Sequence, residues 1–439
     1  MIIISASVII LTLVLALARP TVFGYRIEHG TAATLGALLT LASGLAEWSL
    51  VIQTLKMLSY PILTIISLMM ITKIAEMAGL AQRLSVFVIQ AGRGSGKRLF
   101  ALIFFTGTAV GMVFTNDAAI LMFTPLIYLM VEEIADPEWT LNDKLPFYFA
   151  VLYVGNLAGL LIISNPINII VGSFFNLSFS QYAFWMFFPA AMSVLVSFVG
   201  LRIAFRGQIP VSYRLPEKLP SEPLSRMMKI CGVVIALTLV GFFLQGLTSI
   251  PIAAVAVVGA LVLLLLHKRE GHAIKPVIQG VEWSVLVFVI GIFIVAMGAR
   301  NAGLTNLFSD LIMMLAGQLG SWTLLPTISL VAGITSAIIN NHPTADLMIW
   351  VVQDLGLNDT QQMFAVFAAL IGGDLGPKML PIGSLAALMW FRILRQYGVE
   401  VSYWRYIKIG VPVTLAAILL AVAVLYLQIV LAGIEMPIY

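Results

Sequence analysis

Long apolar runs separated by short polar ones dominate the chain. Runs of roughly 17–25 residues recur from end to end, each long enough to cross a bilayer as a helix. Backbone groups in lipid must satisfy one another, so these runs are helices rather than isolated strands. The pattern predicts ten spans, at about 2–18, 30–46, 57–75, 146–172, 182–205, 227–247, 251–266, 282–299, 362–391 and 407–431. Two further apolar segments, about 99–134 and 322–355, are each broken at a polar tip. The tips are Thr115-Asn116-Asp117 and Asn340-Asn341-His342-Pro343. They read as re-entrant hairpins that enter and leave on one side. Twelve full crossings are the plainer alternative, but hairpin arms of about 16–17 and 12–13 residues are short for that.

Charge tests the topology. With the N-terminus outside, nearly all basic residues fall on the cytoplasmic side, as the positive-inside rule requires. Of 24 Lys and Arg, the exceptions are Lys56 and Arg300, which fall outside, and Lys378, which lies within a span. The expected location is a cell inner (plasma) membrane, multi-pass, with both termini outside and the central loop cytoplasmic. Composition agrees: 61% of residues are hydrophobic and 10% charged, where a soluble domain has about a quarter charged. The net charge of +4 is spread over short loops, which argues against a nucleic-acid partner. Residues 2–18 read as the first span, not a removable signal. The single cysteine, Cys231, excludes disulfides and Cys-based metal sites within one chain and reads as a small packing residue. Four histidines without an HExxH pair give no metal site. No cofactor and no enzyme constellation is expected.

The chain repeats itself weakly. Ala75 to Ser85 (AEMAGLAQRLS) resembles Ala299 to Ser309 (ARNAGLTNLFS), an offset of 224 residues. The same offset carries Asn116 onto Asn340. Gly155-Asn156-Leu157 resembles Gly373-Asp374-Leu375 at an offset of 218. Each repeat holds five spans, an odd number, so the second copy enters from the opposite face, the usual plan of secondary transporters. The expected fold is an all-α polytopic membrane protein of two inverted repeats, each with five transmembrane helices and one re-entrant hairpin, with broken helices at the midplane. The divisions are 1–205 for the first repeat, 206–226 for a cytoplasmic linker and 227–439 for the second repeat.

Four polar breaks carry the candidate chemistry. Two are the hairpin tips. Two are unwound points in spans: Ser164-Asn165-Pro166-Ile167-Asn168, and Gly372-Gly373-Asp374-Leu375-Gly376-Pro377-Lys378 followed by Pro381-Ile382-Gly383-Ser384. Half-helix ends at such breaks form polar sites at the midplane. A lone membrane Asn often only bonds a neighbouring helix, but here Asn residues recur in both repeats beside Pro or Gly. Intramembrane carboxylates are costly and usually functional, which singles out Asp117 and Asp374. His342 and Asp346 could equally face the hairpin's aqueous side. Lys378 follows Asp374 by four residues, one helical turn. It reads either as a structural ion pair or as an ammonium in a cation's place, coupled to protons through Asp374. Candidate substrate-binding residues are Asn116, Ser164, Asn165, Asn340, Asn341, Gly383 and Ser384. Candidate proton-coupling residues are Asp117, Asp374 and Lys378.

Gly373-Asp374-Leu375-Gly376-Pro377-Lys378, with Pro381-Ile382-Gly383-Ser384-Leu385 and Trp390, resembles the most distinctive segment of the ArsB-type arsenite permeases, members of the ion transporter superfamily. Asn116-Asp117, Ser164-Asn165, Asn168-Ile169, Arg300-Asn301-Ala302-Gly303-Leu304 and Asn340-Asn341-x-Pro343 are also similar, so the likeness runs nearly end to end. It implies export of arsenite and antimonite from the cytoplasm in exchange for protons, sometimes with a soluble arsenite-stimulated ATPase partner. Gly155, Asn156 and Ala158 depart from the family's pattern of an acidic residue with small hydroxyl residues, which would move coupling to Asp117 or Asp374. Arsenite at neutral pH is a small neutral polyol, As(OH)3, suited by Asn, Ser and Thr. A dicarboxylate would want more cations than Lys378. A sodium/proton antiporter or other small-ion carrier of the same superfamily is the alternative.

Overall fold

The computed structural model describes residues 1–22, 24–155, 157, 159–215 and 224–435; the side chains of Val22, Asn116, Asp117 and Ser321 fall outside the description. The first half runs α1 (Ile2–Ala18), a small antiparallel hairpin of β1 (Thr21–Val22) and β2 (Tyr25–Arg26), α2 (His29–Ala42), α3 (Trp48–Met77), α4 (Leu80–Gly92), α5 (Gly96–Val113), α6 (Asn116–Ile134), α7 (Leu141–Val154), a 3-10 turn at Ile162–Ser164, α8 (Pro166–Phe174) and α9 (Phe179–Ala204). The second half runs α10 (Arg226–Phe243), α11 (Gln245–Thr248), α12 (Ile252–Arg269), α13 (Lys275–Gln279), α14 (Trp283–Asn301), α15 (Leu304–Leu319), α16 (Leu324–Ile339), α17 (Asn341–Asp354), α18 (Asp359–Leu375), 3-10 turns at Gly376–Lys378 and Pro381–Gly383, α19 (Leu385–Gln396) and α20 (Tyr403–Leu431). Among the described residues, seven helices are long and apolar enough to cross a membrane. Even α20 is only half enclosed, exposing Leu419, Leu420, Leu427 and Val430. Apolar surface turned outward along helices of this length is a lipid-facing surface.

The two halves pack reciprocally. α2 lies along α14, and α12 lies along α3; α9 packs on α20. The hairpin α5–α6 packs on α7 and meets α19 from the other half, while α16–α17 packs on α18 and meets α8. One core cluster therefore joins the second hairpin and α18 to Ile167, Ile170 and Val171 of α8. Another joins the first hairpin and α7 to Ala386, Trp390 and Leu394 of α19. Both hairpin tips are buried: Phe114 and Thr115 in one, Asn340 and Asn341 in the other.

Two amphipathic helices escaped the hydropathy pattern. α4 and α15 each start after a glycine in the left-handed conformation, Gly79 (φ 86°) and Gly303 (φ 81°). Each buries one face only, Ala81, Ser85 and Val88 in α4, and Thr305, Ser309, Ile312 and Ala316 in α15. The outward face of α4 is mixed, so it forms no apolar run; α15 is apolar but, at 16 residues, short for a span. The hairpin tips also align one residue differently from the 224-residue offset. Thr115 caps α6 as Asn340 caps α17, so by capping role Asn116 corresponds to Asn341.

The second broken helix is less broken than its glycines suggest. Gly372 to Leu375 remain helical in α18, and the break falls between Lys378 and Ser384. Gly372 and Gly376 serve close contact instead. A Cβ on Gly372 would strike the Ser329 carbonyl, and one on Gly376 the Gly333 carbonyl. Small residues let the backbones of α16 and α18 meet, as is common between membrane helices. Ser329 Oγ donates to the Ala368 carbonyl (2.6 Å) and Ser336 Oγ to the Gly373 carbonyl (2.8 Å).

Candidate functional site

Four helices begin inside the protein, each with a capped N-terminus. Thr115 Oγ1 accepts from the Ala118 amide (3.3 Å) at α6, and Asn165 Oδ1 from Ile167 (3.3 Å) at α8. Asn340 Oδ1 accepts from His342 (3.3 Å) at α17, and Ser384 Oγ from Ala387 (3.2 Å) at α19. A cap satisfies only part of a helix start, whose remaining N–H groups keep a partial positive charge. Such ends suit an oxygen-rich or anionic ligand.

The centre of the site is Asp374, which is completely buried in the last turn of α18. Its Oδ1 accepts from Asn165 Nδ2 at 2.7 Å, and its Oδ2 from Asn168 Nδ2 at 2.9 Å and the Gly159 amide at 3.2 Å. Three N–H donors from the first half thus hold one carboxyl from the second. Asn165 and Asn168 stand three apart on the first turn of α8, which puts both amides on one face. Gly159 is needed for approach, since a Cβ there would collide with Ser164 Oγ and Asn168 Nδ2. Ser164 Oγ, Asn168 Oδ1 and Tyr182 Oη are buried without a hydrogen-bond partner among the described residues. Ser164 adjoins Gly159, and Tyr182 lies near enough to Asp374 to feel its charge. Buried polar atoms left open in this way call for a water or a ligand.

Lys378 does not pair with Asp374; no ion pair within 4.0 Å joins them. Its Nζ instead donates to the Tyr153 carbonyl at 2.8 Å and lies 4.9 Å from the centre of the Tyr153 ring. Tyr153 is in the last turn of α7, where carbonyls lack helical partners and favour a cation. The helix ends before that turn can bring Lys378 back over Asp374. Trp390 Nε1 similarly donates to the Tyr148 carbonyl (3.1 Å).

The remaining candidates separate. Asn165, Ser164 and Asp374 come together. Asn340 and Asn341 lie at the start of α17, both buried. Asn340 has φ 80° and ψ 159°, a region that suits glycine, and its Nδ2 has no partner among the described residues. Gly383 is closely packed: a Cβ there would lie 2.8 Å from the Ala337 carbonyl and 3.0 Å from the Cα of Pro377. Ser384 is the α19 cap. The Asn116 and Asp117 side chains, and residues Asn156 and Ala158, lie outside the described residues. Gly159, Asn168 and Tyr182 were not among the predicted site residues, although the Asn165-x-x-Asn168 spacing was a usable signal.

Two cavities adjoin α8, one at its start and one toward its end. One of about 250 Å³ is lined by Thr72, Lys73, Glu76, Thr115, Pro166, Glu282 and Val285 among others. Lys73 and Glu76 pair at its mouth (3.0 Å). The other, of about 360 Å³, is lined by Tyr60, Thr64, Ile162, Ile169, Ser173 and Gln245 among others. The segment from Ile162 to Ile169 stands between them.

Two solved structures share the fold. They are the Alcanivorax borkumensis YdaH transporter (16% identity, TM-score 0.57, 99% of this chain and 98% of that one) and Neisseria gonorrhoeae MtrF (13%, TM-score 0.55, 100% and 96%), the latter placed in a class of antimetabolite efflux pumps. Sequence likeness is closer. An arsenical pump membrane protein of Escherichia coli is 32% identical over 432 residues, covering 97% of this chain and 98% of its own. That of strain K12 is 33% identical over 430 residues, with the same coverage. A putative arsenical pump membrane protein of Bacillus subtilis is 24% identical, covering 90% and 93%. The family model for ArsB, arsenical pump membrane protein, matches residues 4–429. With that match and those relatives along nearly its whole length, the chain is a multi-pass membrane transporter, not an enzyme, and belongs to the ArsB family of arsenical pump membrane proteins.

Proposed function

We propose that the chain exports arsenite and antimonite from the cytoplasm across the inner membrane in exchange for protons, through two inverted repeats at 1–205 and 227–439. The observation that carries this reading is the buried junction in which Asp374 of the second half is held by Gly159, Asn165 and Asn168 of the first. A charged junction between halves is a natural switch. Ionised, the carboxyl only accepts hydrogen bonds, each charge-assisted; protonated, it also donates, and the three N–H donors then meet a neutral, weaker acceptor. A proton arriving at Asp374 loosens the contact between halves, and its departure restores it. Next to this junction, Ser164 Oγ, Asn168 Oδ1 and Tyr182 Oη lack partners among the described residues, a donor and acceptor set that suits the three hydroxyls of As(OH)3. The cavities on either side of Ile162 to Ile169 supply the two approaches that alternating access needs. The inverted arrangement is supported by the recurring element order and the reciprocal pairing of α2 with α14 and α12 with α3.

Everted membrane vesicles test this reading. Arsenite accumulation driven by a proton gradient and indifferent to sodium is the expected result, and Asp374→Asn should reduce it by about tenfold to a hundredfold, the worth of charge-assisted hydrogen bonds. Absence of arsenite movement, with sodium-dependent collapse of the pH gradient, would discard the substrate in favour of a sodium/proton antiporter.

A further inference from the structure

We infer that α17 carries a second proton-binding site, His342 with Asp346, reached from the membrane edge through His29 and separate from the Asp374 junction. The inference rests on the proton-exchange reading above and extends it. His342 and Asp346 are both buried, and four residues apart they occupy one face of α17. His342 Nδ1 has no partner among the described residues. No hydrogen bond or charged partner reaches the Asp346 carboxyl among those residues either. A carboxylate with nothing to balance it inside a membrane is costly, and such groups commonly serve proton relays.

The approach is also visible. The ring of Phe288 on α14 lies between two histidines, its centroid 5.9 Å from that of His29 and 6.1 Å from that of His342. His29 Nδ1 is 2.8 Å from the Ala16 carbonyl. A carbonyl only accepts, so Nδ1 carries the hydrogen and the neutral ring's Nε2 is left as the acceptor. That Nε2 is buried and has no partner among the described residues. His29 opens α2, beside Glu28, Arg19 and Arg26 at the end of the bundle. Along α14, Phe288 is one turn deeper than Val285, a wall of the 250 Å³ cavity. Beyond Asp346 the stripe continues to Trp350, whose Nε1 has no partner among the described residues, and then to Arg300, stacked 4.6 Å from the Trp350 ring and paired with Asp354 at 3.0 Å. Polar groups thus recur along α14 and α17 toward both ends of the bundle, with the Phe288 ring between His29 and His342.

The other charged groups around α17 are committed or remote. α14 offers Arg300, held by Asp354 and Gln353. α18 offers Asp374, held by its three donors, and Asp359 at its far end; α15 offers Asp310, which is exposed; α16 and α8 carry no ionisable side chain. Nothing on these elements neutralises His342 or Asp346, so a proton is the ligand left to them.

Purified protein in liposomes decides the matter. Under an imposed pH gradient, Asp346→Asn and His342→Gln should lower arsenite accumulation by about a hundredfold, the usual worth of a proton-transferring side chain. Asp346→Glu should restore it. Arsenite binding by Asp346→Asn, followed by tryptophan fluorescence, should persist. In infrared spectra of the wild-type protein, one protonated-carboxyl band should vanish in Asp346→Asn and survive in Asp374→Asn. Undiminished accumulation in Asp346→Asn overturns the second site while leaving the exchange reading intact. Joint loss of binding and accumulation, not restored by Asp346→Glu, assigns Asp346 a structural role and overturns it too. A wild-type protein that accumulates no arsenite under a pH gradient removes the exchange reading and this site with it.

Discussion

Asp374 shows how much can hang on one side chain. Among the described residues, its carboxyl accepts the hydrogen bonds by which Gly159, Asn165 and Asn168 reach α18, and all three donors come from the opposite half. Gly159→Ala places a methyl group against Ser164 and Asn168. Overpacking of this kind costs about 1–3 kcal/mol, and it pushes the Asn168 amide off Asp374. Thermal unfolding in detergent should register the lower stability, with arsenite transport falling further than stability alone explains. Lys378→Met removes a cation buried beside the site and leaves the Tyr153 carbonyl without its Nζ donor. The variant should fold, because Met fills a similar volume, yet lose pH-driven transport. Transport driven by a pH gradient in Lys378→Met vesicles would reject a coupling role for this lysine.

The helix caps are the next scale up. α17 starts on an asparagine held at φ 80°, a conformation whose strain in a residue other than glycine is about 1–3 kcal/mol. The cap itself is worth about 1 kcal/mol against alanine and only a few tenths against glycine. Asn340→Gly should therefore be as stable as the wild type or more so, and Asn340→Ala clearly less stable. Equal melting temperatures for the two would show that the strain is absent. The α16–α18 interface gives a second expectation. Gly376→Ala forces a methyl group onto the Gly333 carbonyl and should destabilise by about 1–3 kcal/mol, measured by the same unfolding assay.

At the level of the whole molecule, the two cavities approach α8 from opposite ends. Cys231 is the chain's single cysteine and is buried among Ile71, Ile74 and Leu263, so a Cys231→Ala background is a practical starting point. A cysteine replacing Met122 would line the cavity that holds Thr115 and Pro166, and one replacing Asn176 the cavity that holds Ile162 and Gln245. A membrane-impermeant thiol reagent should label Met122→Cys from the cytoplasmic side and Asn176→Cys from the outside. Labelling of both from one side would contradict the topology proposed for the two halves.

Sequence by itself determined where the apolar helices lie, where polar residues interrupt them and that Asp374 and Asn165 stand at such interruptions. These are local properties, because the cost of a polar group in lipid is set by its own chemistry. Helix α4 fell below the same signal because its outward face is mixed, and α15 because its 16 apolar residues are short for a crossing. Only the tertiary structure decided which groups meet. Asp374 is bonded to residues 206, 209 and 215 positions away, and no spacing rule reaches across such a distance. Lys378 was placed by periodicity over Asp374, but α18 ends first and the ammonium finds a helix C-terminus instead. Gly372 and Gly376 read as breaks, yet they are where α16 comes closest. A glycine's sequence position says that the backbone is free of a side chain; the neighbouring helix decides whether that freedom is used to bend or to touch.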